Sequence, residues 1–262
     1  MQLVEPQVFL IASTQLHEEG VVDWLSTMNG QAVLNHIAGE DEEKLIELCG
    51  RRCYLSFDVG LNPNVTKIRT NSQEYHKNLL ASGHGSVLEH SSATFAFENI
   101  SRVFSHEVVR HRAGVAVSQE SLRYVRLNKL KFWIPPEIDA NKDAREVFID
   151  LIEKSEEAQA KLAKIFDIEN LKSFSQKKVL TSAFRRIAPD GLATGIVLTF
   201  NMRALRHVIA MRTSVHAEVE IRKVFNKVFD IAIQEWPFIF QDFKKIDTGD
   251  GLFECVPEFA KV

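Results

Sequence analysis

Residues 194–201, "TGIVLTFN", run directly into residues 202–236, "MRALRHVIAMRTSVHAEVEIRKVFNKVFDIAIQEW". The first segment is β-branched and apolar, which predicts a strand; the second keeps a helical period and predicts one long, almost continuous helix. At about 100° per residue, Leu205, Val208, Ile209, Val215 and Val219 fall on one apolar stripe, and Arg212 and His216 fall inside it. Arg203 and His207 lie on the opposite side. Burying an unpaired guanidinium costs several kcal/mol, so Arg212 needs an anion, either an internal Asp or Glu or a ligand.

Outward from this strand and helix the same reasoning places further elements. "QVFLIAS" (7–13) reads as a buried strand, and "EDEEKLIELCGRRC" (40–53) as a helix with acids in its first turn, where the helix dipole favours them, and with Gly50 placed to end it. A helix is expected over 71–85, capped by Asn71 or Ser72 and stopped at Gly83. "ATFAFEN" (93–99) alternates like a strand, and 101–112 returns to a helical period. "NKLKFWIPPEI" is a connector closed by Pro135 and Pro136. The charged segment 141–166 has the spacing of a long exposed helix, followed by a second helical arm over 175–189. No internal repeat, low-complexity tract or flexible linker interrupts the chain. The expectation is a single domain over 1–262 of α/β (α+β) class: a mixed sheet flanked by helices, with a helical insertion near 137–180 and a long C-terminal helix.

Composition narrows the function classes. The chain has 262 residues, 26% charged and 45% hydrophobic, with a formal net charge of −3. These are ordinary values for a folded domain, and no apolar run approaches the ~20 residues that span a bilayer. "MQLVEPQVFLIAST" has no Arg or Lys and so lacks a signal peptide's charged start; a cytoplasmic address is expected, with no membrane partner. Cys49, Cys53 and Cys255 are odd in number and form no CxxC set, so reduced thiols are expected, and no metal site.

Against this acidic balance, "RHRAGVAVSQESLRYVR" (110–126) gathers Arg110, His111, Arg112, Arg123 and Arg126. Guanidinium forks with Ser and Gln donors suit a nucleotide-sized anion, while a solvated basic face is the plainer reading. A nucleic-acid backbone is disfavoured by the net charge and by the lack of a longer basic tract. A serine nucleophile would have only His111 nearby as base. In "GHGSVLEH" (83–90), Gly83 and Gly85 permit close backbone approach, and Ser86 with Glu89 has the spacing of a capping box. His84, Glu89 and His90 lack two histidines at i, i+4, so zinc is not expected.

Together these motifs resemble the flavin-dependent thymidylate synthases, the ThyX family. That family carries an Arg-His-Arg triplet followed by a Ser-x-Arg-Tyr element, here "RHR" (110–112) and "SQESLRY" (118–124). Its Gly-His-x-Ser/Thr-x-x-Glu-His element is matched by "GHGSVLEH". Its Asn-x-Arg-x-Leu-x-Asn/His helix start, continuing to Arg and His, is matched by "NMRALRHVIAMRTSVHAEVEIR". The preceding Arg and Pro are matched by Arg185 and Pro189. The resemblance covers about 80–225. It departs from the pattern in three places: one extra residue lies between Arg112 and Ser121, which predicts a bulged loop; His106 and Glu107 stand where Arg-Gln is usual; and Gln119 stands where Glu is frequent.

The resemblance implies that FAD is bound by Arg110, His111, Arg112, Ser86, Asn201, Arg203 and His207, with His216 and Gln119 also on the cofactor side. It implies that dUMP is held by Arg123, Ser121, Gln119 and Arg185, with Glu107 and Arg110 adjoining. Arg212 is implied as the catalytic residue, contacting uracil and favouring its ionised form. His84 is the candidate for folate. The implied reaction is reductive methylation of uracil C5 with 5,10-methylenetetrahydrofolate and NADPH, in a homotetramer whose subunits share sites. Such an enzyme needs no cysteine nucleophile. Two alternatives stand beside it: a paralogue modifying another pyrimidine nucleotide at C5, for instance by hydroxymethylation, and a non-catalytic protein that binds flavin, nucleotide or nucleic acid.

Overall fold

The computed structural model describes residues 1–122 and 129–261. In chain order its strands and helices are β1 (Gln2–Leu3), β2 (Gln7–Ser13), α1 (Glu18–Ser26), α2 (Asp41–Tyr54), α3 (Ser72–Ala81), β3 (Ser92–Ser101), α4 (Arg102–Val108), β4 (Val115–Gln119), β5 (Lys131–Phe132), α5 (Pro136–Asp139), α6 (Lys142–Ile165), α7 (Phe174–Phe184), β6 (Ala193–Asn201), α8 (Met202–Thr213), α9 (Val219–Glu235), α10 (Pro237–Phe240), β7 (Phe243–Asp247) and β8 (Phe253–Pro257). The principal sheet has the strand order β2-β3-β6-β4. The mixed α/β class is as expected from the sequence.

The chain divides into two compact units, Met1–Phe9, Ala96–Arg110 and Val117–Leu198 in the first, and Leu10–Phe95, His111–Ala116 and Thr199–Val262 in the second. In the first unit, Leu122, Leu130, Phe132, Ile152 and Leu192 form a buried cluster. The long exposed helix is α6, capped where Asn141 accepts from the Ala144 amide, and α7 follows it as the expected second arm. Ser101 accepts from the Phe104 amide and starts α4, which ends at Val108 rather than running through the Arg-His-Arg triplet.

In the second unit, α2 opens with a capping box between Glu40 and Glu43. Gly50 does not end it. The Tyr75 hydroxyl packs so close to Gly50 that a Cβ there would lie 2.6 Å from it, so this glycine serves helix packing. The helix stops instead at Leu55, at φ 49°. Arg51, fully buried, fixes that end by donating to the Ser56 carbonyl and to Glu47. Asn71 caps α3, and Gly83 at φ 70° follows its end, as the sequence suggests.

Two further expectations fail. β2 is not buried: it is an edge strand, with Phe9 48% and Ile11 54% exposed. Its apolar composition matched a central strand, and composition alone does not distinguish an edge. The long C-terminal helix is also broken. α8 ends at Thr213, and Glu218 starts α9 by accepting from the amides of Glu220 and Ile221. A carboxylate that satisfies two orphan amides makes a new helix start more favourable than continuation. Val215 and His216 therefore lie in the connection, both exposed, and not on a helical stripe. The antiparallel hairpin of β7 and β8, in register from Phe243 opposite Pro257 to Asp247 opposite Phe253, packs beside both helices.

Candidate active site

In the second unit, the start of α8 holds the triplet's last two residues. Asn201 caps α8 by accepting from the Ala204 amide at 2.8 Å, and its own amide donates to the Gly114 carbonyl at 2.9 Å. Gly114 has φ 69°, and a Cβ on it would lie 2.5 Å from Asn201 Nδ2. Glycine is favoured there, because the left-handed backbone disfavours a side chain and a Cβ would have to displace the Asn201 side chain. The Val115 amide closes the turn onto the Arg112 carbonyl at 3.3 Å, and β4 starts at once. The segment that carries the extra residue thus holds a glycine turn and the strand β4.

This turn sets His111 against α8. Arg212 Nε donates to His111 Nε2 at 2.9 Å, and the His111 and His207 rings meet edge to face with centroids 5.9 Å apart. Burial, and then the positive charge of Arg212 and the neighbouring His207, lower the His111 pKa to about 4. The ring is neutral at pH 7, and the bond from Arg212 assigns its proton to Nδ1. Arg212 is half-buried and faces this ring, so it is not the deeply buried arginine that periodicity implied.

That arginine is Arg206, 2% exposed, which makes a bidentate pair with Asp242 at 2.7 and 2.9 Å. The signal was present, because Arg206 lies between the buried Leu205 and Val208, but its partner is distant in sequence.

"GHGSVLEH" forms a 3₁₀ turn, Gly85–His90, without a side-chain cap. Glu89 is not in a capping box with Ser86; it reaches Arg203 Nη1 at 2.6 Å, and Ser86 is exposed. His84 meets the ring of Tyr54 edge to face at 5.9 Å, and His216 is exposed in the α8–α9 connection.

The remaining sequence candidates lie in the first unit. Gln119 Nε2 donates to Ser105 Oγ at 2.9 Å, and Arg110 Nε to the His106 carbonyl at 3.3 Å. Glu107 and Ser121 are half-buried. Arg185 is exposed and lines a cavity of about 520 Å³ together with Glu153, Glu156, Gln159, Thr181 and Leu192. Arg123 and Arg126 lie outside the described residues.

Several donors of the second unit are open to an anionic ligand. Arg112 is exposed, and Arg203 is 43% exposed with only a surface ion pair to displace, a contact worth about 0–1 kcal/mol. Both would serve a pyrophosphate, and the neutral His111 and exposed His207 would flank a ring. Among the described residues, no group of three or more His, Cys, Asp or Glu is placed to hold a metal ion, and no helix is long and apolar enough to cross a membrane.

Known proteins with similar sequences extend this picture. Relatives include a flavin-dependent thymidylate synthase of Corynebacterium diphtheriae, 34% identical over 82% of this chain and 84% of its own. Another, of Mycolicibacterium vanbaalenii, is 34% identical over 94% and 92% respectively. A solved structure of the UMP/dUMP methylase PolB from Streptomyces cacaoi, bound with 5-Br dUMP, superimposes with a TM-score of 0.60 over 91% of this chain and 95% of its own. At 17% identity that likeness is one of fold. Residues 32–238 match the sequence model of the Thy1 family, described as thymidylate synthase complementing protein, and the chain belongs to that family.

Proposed function

We propose that this chain is a flavin-dependent thymidylate synthase that methylates dUMP at uracil C5 to give dTMP. The geometric observation that carries the reading is the bond from Arg212 to a neutral His111, seated beside the donors suited to FAD. The names of relatives matched over nearly the whole chain support the same reaction.

In this reading, 5,10-methylenetetrahydrofolate supplies the carbon and FAD, reduced by NADPH, supplies the hydride. The chain's own part is position and charge. His111, neutral and accepting at Nε2, fixes the plane of the Arg212 guanidinium without competing for its positive charge. Arg212 would then stabilise the anionic form of the pyrimidine, which makes C5 nucleophilic without a thiol adduct at C6. Burial works against the thiolate at two of the three cysteines. Cys49 has its pKa raised by burial and Cys255 is pushed up to about 11, while the exposed Cys53 turns its thiol to the Cys49 carbonyl.

Arg112, Arg203, Asn201, Ser86 and His207, with Arg110 and His216, would hold FAD. Ser121, Gln119, Arg123, Arg185 and Glu107 would hold the nucleotide, and His84 would approach the folate. The single domain, the cytoplasmic address and the homotetramer with shared sites belong to the same reading and rest on the resemblance to ThyX proteins. Two measurements test it together: a flavin absorption band on the purified protein, and dTMP formed from dUMP, methylenetetrahydrofolate and NADPH. A flavin-loaded protein that makes no dTMP overturns the reading.

A further inference from the structure

The hairpin of β7 and β8 lies beyond the residues that match the family, 32–238, yet it is tied to the helix that carries Arg212. Thr213, the last residue of α8, is fully buried, and so is Cys255 in β8. The Cys255 amide donates to Thr213 Oγ1 at 2.9 Å, and the same hydroxyl donates to the Ile209 carbonyl at 2.8 Å. One hydroxyl therefore closes the final helical turn and joins it to a strand. The strand is itself clamped to α9: Asn226 Nδ2 donates to the Phe253 carbonyl at 2.9 Å, and the Phe253 amide donates to Asn226 Oδ1 at 2.8 Å. Arg222 holds the hairpin's turn through Asp250 at 2.7 Å and Thr248 at 2.8 Å.

Helix ends fray unless something outside the helix satisfies their carbonyls. Here the frayable turn carries Arg212 directly before Thr213. Arg212, Ser214 and His216 also share a cleft of about 500 Å³ with Glu254, Val256 and Pro257 of the strand.

We propose that Thr213 is a positioning residue, which holds the last turn of α8, and with it Arg212, against His111 by tying that turn to β8. Its consequence for catalysis rests on the reading of Arg212 as the uracil contact. The placement of Arg212 against His111 does not depend on that reading.

The test is Thr213→Val, which keeps the side chain's shape and removes both bonds, in the full-length protein. Titration of His111, followed by NMR of isotope-labelled histidine, is expected to move up toward the ordinary value by about half a unit or more as Arg212 leaves the ring. The kcat for dTMP formation is expected to fall about tenfold, the cost of one misplaced transition-state contact, with the KM for dUMP changed less than about threefold. Thr213→Ser, which keeps the hydroxyl, restores both. Val33→Ala, in a core cluster formed with Leu25, Leu48 and Phe57, supplies a comparably destabilised control that changes neither. If Thr213→Val does not fold, Thr213→Cys replaces it with the same expectations. Unchanged His111 titration and kcat in the Thr213 variant, or the same changes in Val33→Ala, overturn the proposal. A wild-type protein that forms no dTMP overturns the functional reading instead, while the His111 titration still decides the role of Thr213.

Discussion

Arg212 Nε donates to His111 Nε2 at 2.9 Å, so the end of α8 and the triplet's turn, 101 positions apart in the chain, are joined by a hydrogen bond. Removing the guanidinium deletes the charge proposed to face the pyrimidine but none of the groups proposed to hold the cofactor. Arg212→Ala is therefore expected to lower dTMP formation by about a hundred- to a thousandfold, as removal of one transition-state donor does, with the flavin band on the purified protein unchanged. Full activity in this variant would remove Arg212 from the chemistry.

His111 makes the site sensitive to acid in a defined direction. Its folded pKa of about 4 lies below the ordinary 6.5, so the folded state resists protonation where the unfolded chain accepts it. Stability from this group is complete above about pH 6.5 and falls as the pH drops toward 4. The ring is half-buried, so the effect is smaller than a fully buried histidine would give. Urea unfolding of wild type and His111→Asn between pH 4 and 7 checks this. The wild type is expected to lose stability relative to the variant as the pH falls, and parallel curves would show that Arg212 does not press on the ring.

What the sequence disclosed and what it concealed divide along physical lines. Local signals were legible. Asn71, Asn141 and Ser101 sit at helix starts because their side chains satisfy orphan amides a few residues away, and β6 announced itself by composition. Contacts between distant segments were not. The acids and the period of 202–236 suited one helix as well as two, and only the side chain of Glu218, turned onto the Glu220 and Ile221 amides, breaks it. The clustering of His111, His207 and Arg212 was legible only through motif order, because no local rule joins residue 111 to residue 212. Ser86 and Glu89 had the spacing of a capping box, but Glu89 found the guanidinium of Arg203, a partner no sequence window contains.

Gly114 lies in the segment between Arg112 and Ser121, where the chain departs from the ThyX pattern, and its turn is tightly packed. Its φ of 69° and the approach of Asn201 leave no room for a methyl group. Gly114→Ala is expected to cost about 1–2 kcal/mol for the left-handed backbone, and about 1 kcal/mol more if Asn201 yields its cap on α8. Because the turn carries His111 and Arg112, flavin retention through gel filtration is expected to fall along with thermal stability. A variant that loses stability but keeps its flavin would separate the turn from cofactor binding.

Arg206 and Asp242 form a buried ion pair of the kind that sequence periodicity left open for Arg212 beside a ligand, and the two arginines of α8 should separate cleanly under mutation. Asp242 has 3% of its side chain exposed, so Asp242→Ala leaves a guanidinium buried without its carboxylate. A lost partner of this kind costs about 3–5 kcal/mol, a large share of a domain's stability. Arg206 also donates to the Ile239 carbonyl and packs its guanidinium over the Phe243 ring, 4.9 Å from the centroid, so the loss should reach α10 and the start of β7. Replacing both partners together, as Arg206→Met with Asp242→Leu, removes the stranded charge and is expected to recover most of the loss. A calorimetric comparison of the single and double variants measures this. Assayed well below the melting temperature of Asp242→Ala, dTMP formation is expected to stay within about threefold of wild type, since neither residue touches His111 or the FAD donors. A collapse of activity without a loss of stability would place this pair in the chemistry and return the buried arginine to the role first inferred for Arg212.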